Sequence, residues 1–216
     1  MTACTTSWTP WPSRRGSWST SRKRCSHEAR GCPGLREGPR GEHEPGAAPY
    51  PSTGLASEAI LRALARRLGQ DEEEWGLTGL LHDIDVELTA DDPSAHSKLG
   101  TDLVRELGAS PATAQAILRH NERHGLPRET PLDKALFCAD SLTGLITAAA
   151  LVRPDKKLAG VEPSSVIKRF REKRFAPGAN REHIALCSEL GLPLEEFIGP
   201  RLGSGAMQGI AADLGL

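Results

Sequence analysis

The chain has 216 residues and a formal net charge of −1, with 27 Lys and Arg against 28 Asp and Glu. This length suits one domain, with or without an appendage, and the near-neutral balance gives no reason to expect nucleic acid as the main partner. No apolar stretch approaches the 18 to 20 or so residues that span a bilayer, and the start lacks the apolar core of a signal peptide. We therefore expect a cytoplasmic protein with no membrane partner. The five Cys residues form no CxxC pair, which argues against a zinc cluster or a disulfide framework.

The composition changes near residue 52. Residues 1–52 contain no Val, Ile, Phe, Asp, Asn or Gln, and Leu35 is their only Leu. Such a segment buries too little apolar area to offset the entropy of ordering it, so we expect it to be disordered or loosely attached. Its basic excess also fits an arm for RNA or lipid, although the cations are scattered. A misassigned start or a frameshift is a further alternative.

From residue 54 onward the sequence has the apolar spacing of helices and lacks strand alternation. The segment LASEAILRALARRLG has apolar residues near one face and a stopping Gly69. A second helix is predicted from about Asp71 to His82, and a third over SAHSKLGTDLVRELG. Ser110-Pro111 and Thr130-Pro131 each offer an N-cap followed by Pro, which starts two more. The prediction is an all-α fold, with a five-helix unit at about 53–152 and further helices at about 163–176, 180–190 and 193–214.

The stretch GLLHDIDVE places His82 and Asp83 directly after an apolar run. A lone His-Asp pair is typical of a helix end that meets water. Neighbouring side chains on a helix point about 100° apart, so both bind one ion only where the helix ends or bends. His96 is predicted in the first turn of the third helix, His120 at the end of the fourth, and Asp140 within the apolar fifth. A carboxylate in a core needs a partner or a metal, so the five residues together favour a metal site.

These residues resemble the pattern of the HD superfamily of metal-dependent phosphohydrolases. The resemblance covers residues 53–152 for the domain itself. The segments HDIDVE, AILRHNERHG, ALFCADSLTGLI, ALVRPDKKL and KRFREKRFAPGANRE are similar to a small bacterial and archaeal subgroup of stand-alone hydrolases. That similarity implies residues 153–216 form a helical extension packed on the same domain.

The resemblance also implies a role for each candidate residue. His82, Asp83 and Asp140 match the ligands of a first metal ion. His96 and His120 match two further imidazoles that hold a second ion in some branches, with Asp83 as the bridging and catalytic carboxylate. Imidazole and carboxylate ligands suit Mn, Fe, Zn or Ni. The expected reaction is hydrolysis of a phosphoester or phosphoanhydride, with a small phosphorylated compound such as a nucleotide as substrate.

One position departs from the family pattern. HD proteins have another His on the first helix, nearly thirty residues before the doublet, and Thr53 stands there in this chain. His43 or His27 is a candidate substitute. The Lys that some branches carry just after the doublet is also missing, since Val86 and Glu87 occupy that region. A helical binding module that recognises phosphate without a complete metal shell is therefore the alternative function.

A basic stretch follows the predicted metal helices. Most of its cations fit the solvated face of an amphipathic helix, but Lys156, Lys157 and Lys173 are candidates for holding substrate phosphates. The sequence contains no P-loop and no GxGxxG motif, which argues against a reaction driven by ATP or a dinucleotide. The metal identity and the oligomeric state stay open.

Overall fold

α-Helices dominate residues 50–216, the part of the chain that this computed structural model describes, and side chains are described from residue 53. These residues include no β-strand. The helices are α1 (Tyr50–Leu68), α2 (Glu72–Leu81), α3 (Lys98–Glu106), α4 (Pro111–His120), α5 (Pro131–Leu151), α6 (Pro163–Arg171), α7 (Arg181–Ala185), α8 (Leu194–Ile198) and α9 (Gly203–Gly209). The predicted all-α class is confirmed. The expected disorder of residues 1–52 falls almost wholly outside the described residues, although α1 begins at Tyr50.

Local capping explains the starts of three helices. Asp71 accepts the Glu74 backbone N–H at 2.9 Å before α2. Ser110 accepts the Thr113 N–H at 3.0 Å before α4. Thr130 begins α5 with a capping box and Pro at the first helical position. These side chains satisfy backbone donors that a helix start leaves unpaired. The starts predicted from Ser110-Pro111 and Thr130-Pro131 are thus confirmed.

Other predicted boundaries are wrong. α3 begins at Lys98 rather than near residue 94, so His96 lies in the turns before the helix and not in its first turn. Ser97 has a left-handed backbone with φ of 70°, which prevents a continuous helix there. α6 ends at Arg171 rather than near residue 176, and α7 passes into a 3-10 turn at Leu186–Leu190. The single helix predicted at 193–214 is broken between α8 and α9.

The central element of the fold is α5, whose side chains pack on both earlier and later helices. Leu142 and Ile146 are fully buried in the main apolar cluster. The same cluster contains residues of α1 and of the segment after residue 152, namely Ile60, Leu61, Leu64, Leu158, Val166, Ile184, Phe197 and Met207. Residues 153–216 therefore share one apolar core with α1 and α5, whereas Val104 of α3 packs with Ala114 and Ile117 in a smaller cluster.

α5 is long and apolar enough to span a bilayer, so the prediction that no apolar stretch approaches this length is wrong. Of its most apolar window, 67% is buried inside the protein. Its place at the centre of the core accounts for this composition without a bilayer.

A close contact between α1 and α2 depends on Gly79. A Cβ atom added at this position would lie 2.7 Å from both the Glu58 backbone nitrogen and the Ser57 carbonyl carbon. The absent side chain allows the two helix backbones to approach. Because Gly79 lies three residues before His82, this contact also sets the place of the predicted metal ligands.

Candidate metal centre

His82 follows the last residue of α2 and is completely buried. Its Nδ1 atom lies 2.7 Å from the carbonyl oxygen of Gly79. A carbonyl only accepts hydrogen bonds, so Nδ1 carries the hydrogen and donates it. The Nε2 atom lies 3.3 Å from Asp83 Oδ2 and 3.4 Å from Asp140 Oδ1. The imidazole thus presents Nε2 to two carboxylates, one in the turn after α2 and one on α5.

Two more imidazoles face Asp83 in the same way. The Nε2 atoms of His96 and His120 each lie 3.4 Å from Asp83 Oδ1. His120, the last residue of α4, donates Nδ1–H to the Ile117 carbonyl at 2.6 Å. The Nδ1 atom of His96 lies 2.9 Å from Asp85 Oδ1. All three rings are therefore oriented through Nδ1, and all three direct Nε2 toward the Asp83 carboxylate.

The charges within this cluster shift the pKa values of its members. Burial by itself lowers the pKa of His82, but the charge of Asp83 and contacts with Asp140 outweigh it, so the pKa lies well above the usual value. Burial likewise opposes ionisation of Asp83, yet His82 and His120 hold the pKa of its carboxyl far below the ordinary range. The shifts favour an ionised Asp83, as a cation-binding site requires, and a protonated His82, whose Nε2 proton a bound cation would displace.

The arrangement fits a bound metal ion. Ligand atoms about 2.0 to 2.2 Å from one tetrahedral ion are themselves separated by about 3.3 to 3.6 Å. The nitrogen–oxygen distances around Asp83 are 3.3 and 3.4 Å. His82 Nε2 is buried and makes no hydrogen bond, which is costly unless another partner occupies the site. Atoms of His82, Asp83 and His120 lie within 4.8 Å of one another, so these three residues would hold one ion together.

Comparison with known proteins supports this assignment. Residues 55–145 match the HD domain family. The chain carries an HD domain. An HD domain is consistent with a metal-dependent phosphohydrolase in general, and the described residues include a His-Asp-His group that could hold a metal ion.

The curated relatives that match this chain include proteins named Ribonuclease Y. Ribonuclease Y of Syntrophobacter fumaroxidans is 36% identical over 124 residues, which cover 56% of this chain and 22% of that protein. Ribonuclease Y of Campylobacter jejuni, strain 81-176, is 30% identical over 151 residues, or 62% of this chain and 29% of the relative. The chain spans less than a third of the length of these relatives. No solved structure matched the chain.

The sequence analysis missed one residue that supports the HD domain site. Asp85 is completely buried and contacts His96 through Oδ1. Its Oδ2 atom accepts the backbone N–H groups of Ser97 at 2.8 Å and Gly100 at 2.7 Å. Asp85 therefore orients a candidate ligand and also fixes the turn that carries it. The signal was present in HDIDVE, where a second Asp follows the doublet by two residues.

Thr53 lies in the first turn of α1 and is half-buried. The next two residues, Gly54 and Leu55, line a cavity of about 410 Å³ together with Asp83. The start of α1 is therefore close to the segment that carries the doublet. His43 and His27, the candidate substitutes for the missing imidazole, lie outside the described residues.

A second and larger cleft, of about 1110 Å³, opens from the HD domain site. Its lining includes the candidate ligands Asp83, His96, His120 and Asp140. Lys173 also lines this cleft, whereas Lys156 and Lys157 lie in the loop after α5 and do not line it. The structure thus brings one of the three candidate phosphate-binding lysines to the space that the ligands share.

Proposed function

We propose that this HD domain hydrolyses a phosphoester or phosphoanhydride of a small phosphorylated compound, in particular a nucleotide. The observation that carries the proposal is the set of three imidazoles whose Nε2 atoms all face Asp83. One or two divalent transition-metal ions, Mn, Fe, Zn or Ni, suit such nitrogen and carboxylate ligands. When bound, an ion of this kind polarises phosphoryl oxygens and increases the acidity of water.

Each candidate ligand has a proposed role. By the family pattern, His82, Asp83 and Asp140 would hold a first ion, and His96 and His120 would hold a second one. His120 also lies close enough to His82 and Asp83 to be a ligand of the first ion. Asp83 is the carboxylate that the Nε2 atoms of all three imidazoles face, and it is the proposed catalytic residue. The open cleft beside these ligands, of about 1110 Å³, gives the substrate access to them.

Hydrolysis of an RNA phosphodiester is a second candidate, favoured by the Ribonuclease Y relatives. Cleavage of RNA by this protein would contradict the expectation from the sequence that nucleic acid is not its main partner. The cleft lining favours the smaller substrate, because it includes the acidic residues Glu122 and Glu182 rather than an extended basic track.

Cys138 and Cys187 are buried free thiols, which fits the cytoplasmic location that we propose.

The competing class of function is a binding module that has lost catalysis together with the first-helix His. Metal analysis of the purified protein, followed by assays with p-nitrophenyl phosphate, nucleotides and a short RNA, separates these functions. We expect bound transition metal and hydrolysis of a nucleotide, and loss of both in Asp83→Asn and Asp140→Asn proteins that keep their helical content. Neutral amides are weaker ligands than carboxylates. Metal-dependent cleavage of RNA alone would favour the second candidate.

An absence of metal and of activity in the wild-type protein would leave the binding module as the function. Full metal occupancy in either Asn variant would mean that the substituted carboxylate is not a metal ligand. Asp102→Asn is the matched control, because this exposed carboxylate of α3 does not line the cleft and, within residues 53–216, forms an ion pair only with Arg105.

A further inference from the structure

The large cleft joins the metal centre to a part of the chain outside the HD match. Besides Asp83 and Asp140, its lining includes Phe170, Arg171, Lys173 and the segment 177–183. The cleft exceeds the roughly 300 to 1,000 Å³ of ordinary small-molecule pockets. A substrate with one phosphate at the metal centre would therefore leave space toward α6 and the loop that follows it.

Only some cations of the basic stretch reach this space. Three of them line the cleft, and six do not: Arg153, Lys156, Lys157, Lys168, Arg169 and Arg174. Several of those outside it are already paired, since Arg153 contacts Asp155 and Arg169 contacts Glu172. The three that line it are Arg171, Lys173 and Arg181.

Arg181 has a structural role. Its guanidinium donates to backbone carbonyl oxygens of the surrounding loop, namely those of Arg169, Phe170, Glu172, Phe175, Ala176 and Ala179. A guanidinium has only five N–H groups, so these acceptors use its donor capacity. Arg181 thus shapes the loop after α6 and has no donor to spare for a ligand.

Arg171 and Lys173 remain available. Both side chains are exposed at the cleft, and neither forms an ion pair with any carboxylate among residues 53–216. Arg171 is the last residue of α6, and Lys173 follows Glu172, which begins the loop that Arg181 holds. These two unpaired cations lie beside the loop that Arg181 holds, in the same cleft as the proposed hydrolytic centre. Together they form an anion-binding surface.

We propose that Arg171 and Lys173 bind a second phosphate group of the substrate while the reacting phosphate lies at the metal centre. This inference rests on the proposed hydrolase function and narrows its substrate to a small compound with two phosphates. The two cations are a short basic patch, and Glu122 and Glu182 line the same cleft. An extended polyanion such as RNA would meet these acidic groups, whereas a compact bisphosphate needs only the metal centre and the basic patch for its two phosphates.

The test compares Arg171→Gln and Lys173→Gln with Lys168→Gln and Arg174→Gln. The last two substitutions remove exposed cations of the same helix and loop that do not line the cleft. Kinetics are measured with the metal-loaded protein on p-nitrophenyl phosphate, ADP and adenosine 3′,5′-bisphosphate. The two nucleotides distinguish an adjacent second phosphate from one at the far side of a ribose.

For at least one of the two nucleotides, we expect kcat/KM to fall about tenfold more than for p-nitrophenyl phosphate in each cleft variant, mainly through KM. This is the scale of a lost hydrogen bond to a charged group. The control variants are expected to behave like the wild-type protein. Equal losses in cleft and control variants, or equal losses on all three substrates, would overturn the subsite.

A binding measurement distinguishes failure of the subsite from failure of the hydrolase function. The wild-type protein and the four variants are titrated calorimetrically with the better of the two nucleotides, without added metal. Binding that weakens about tenfold in the cleft variants supports the subsite even if no substrate is cleaved, in which case only the hydrolase function fails. Hydrolysis with unchanged binding in these variants overturns the subsite and leaves the hydrolase function standing.

Discussion

Asp85 has no direct place in the candidate metal shell, yet it fixes the ring of His96 and two backbone N–H groups at once. Its carboxylate has two acceptor oxygens, and both are used. Gly100 lies so close that an added Cβ would be 3.1 Å from Asp85 Oδ1, so the carboxylate is confined as well as bonded. The orientation of one imidazole therefore depends on a residue that need not touch the metal.

We predict that Asp85→Asn weakens metal binding by about tenfold to a hundredfold, the usual effect of losing a partner of a ligating histidine. An amide offers a single acceptor oxygen, so either His96 or the backbone N–H groups lose their partner. Glu87→Gln is the control, because Glu87 is an exposed carboxylate in the same turn. Metal titration of both variants provides the measurement. Equal affinities in the two proteins would mean that His96 is held by other contacts.

Thr53 gives a second prediction at this scale. Replacing it with His should raise metal affinity at least about tenfold, or roughly 1.4 kcal/mol, because transition metals prefer imidazole to a neutral hydroxyl. The first turn of α1 lies beside the segment of the doublet, since Gly54 and Leu55 share a cavity with Asp83. Thr53→Ala is the control for loss of the hydroxyl. Unchanged affinity in Thr53→His would indicate that another group already fills this position or that the family alignment of α1 is wrong.

The sequence was sufficient to predict the candidate ligands but not what orients them. His82, His120 and Asp140 come from helices with clear apolar spacing, so their positions follow from the helix prediction and the family pattern. Asp85 and His96 lie in the turns between α2 and α3. The shape of that segment depends on contacts between residues more than ten positions apart, which local patterns do not reveal.

The same distinction between local and distant contacts applies to the helices. The starts of α4 and α5 were predictable because the capping residue and Pro are adjacent to each start. The break between α8 and α9 was not predicted, although Gly199 and Pro200 lie within it. There Gly205 approaches Pro200 so closely that any side chain on Gly205 would collide with the Pro200 carbonyl. Gly199-Pro200 is itself a local signal for a helix end, because the residue before Pro is disfavoured in the helical region, and the prediction overlooked it.

Two glycines in helices allow a matched test of packing between elements. Gly79→Ala should lower the free energy of unfolding by about 1 to 3 kcal/mol, because the new methyl group would overlap the α1 backbone. Gly144→Ala, in α5, meets no atom within 4 Å and should raise that free energy by about 0.5 to 1 kcal/mol through helix propensity. Urea denaturation of both proteins measures the difference. Similar values for the two substitutions would contradict the close approach of α1 and α2.

At the scale of the whole molecule, the HD match and the apolar core do not coincide. The match ends at residue 145, within α5, while the core continues through the later helices. α5 contacts both the helices before it and the helices after it. Its buried apolar residues, such as Leu142 and Ile146, belong to the main apolar cluster. The extension therefore supports the helix that carries Asp140, in addition to lining the cleft.

This shared core predicts that a chain ending at residue 152 fails to fold cooperatively. The truncation removes large side chains that are fully buried, including Leu158, Ile184 and Phe197. Each such side chain contributes about 1.5 to 3 kcal/mol when buried, so several together rival the roughly 5 to 15 kcal/mol that stabilises an entire domain. Removing only residues 212–216, none of which is fully buried, is the control and should lower the melting temperature by a few degrees at most. Thermal unfolding followed by circular dichroism, with metal content measured in parallel, compares the two truncations. A cooperative transition near the full-length melting temperature in the shorter chain would mean that the first five helices contain a sufficient core of their own, and that the extension only lines the cleft.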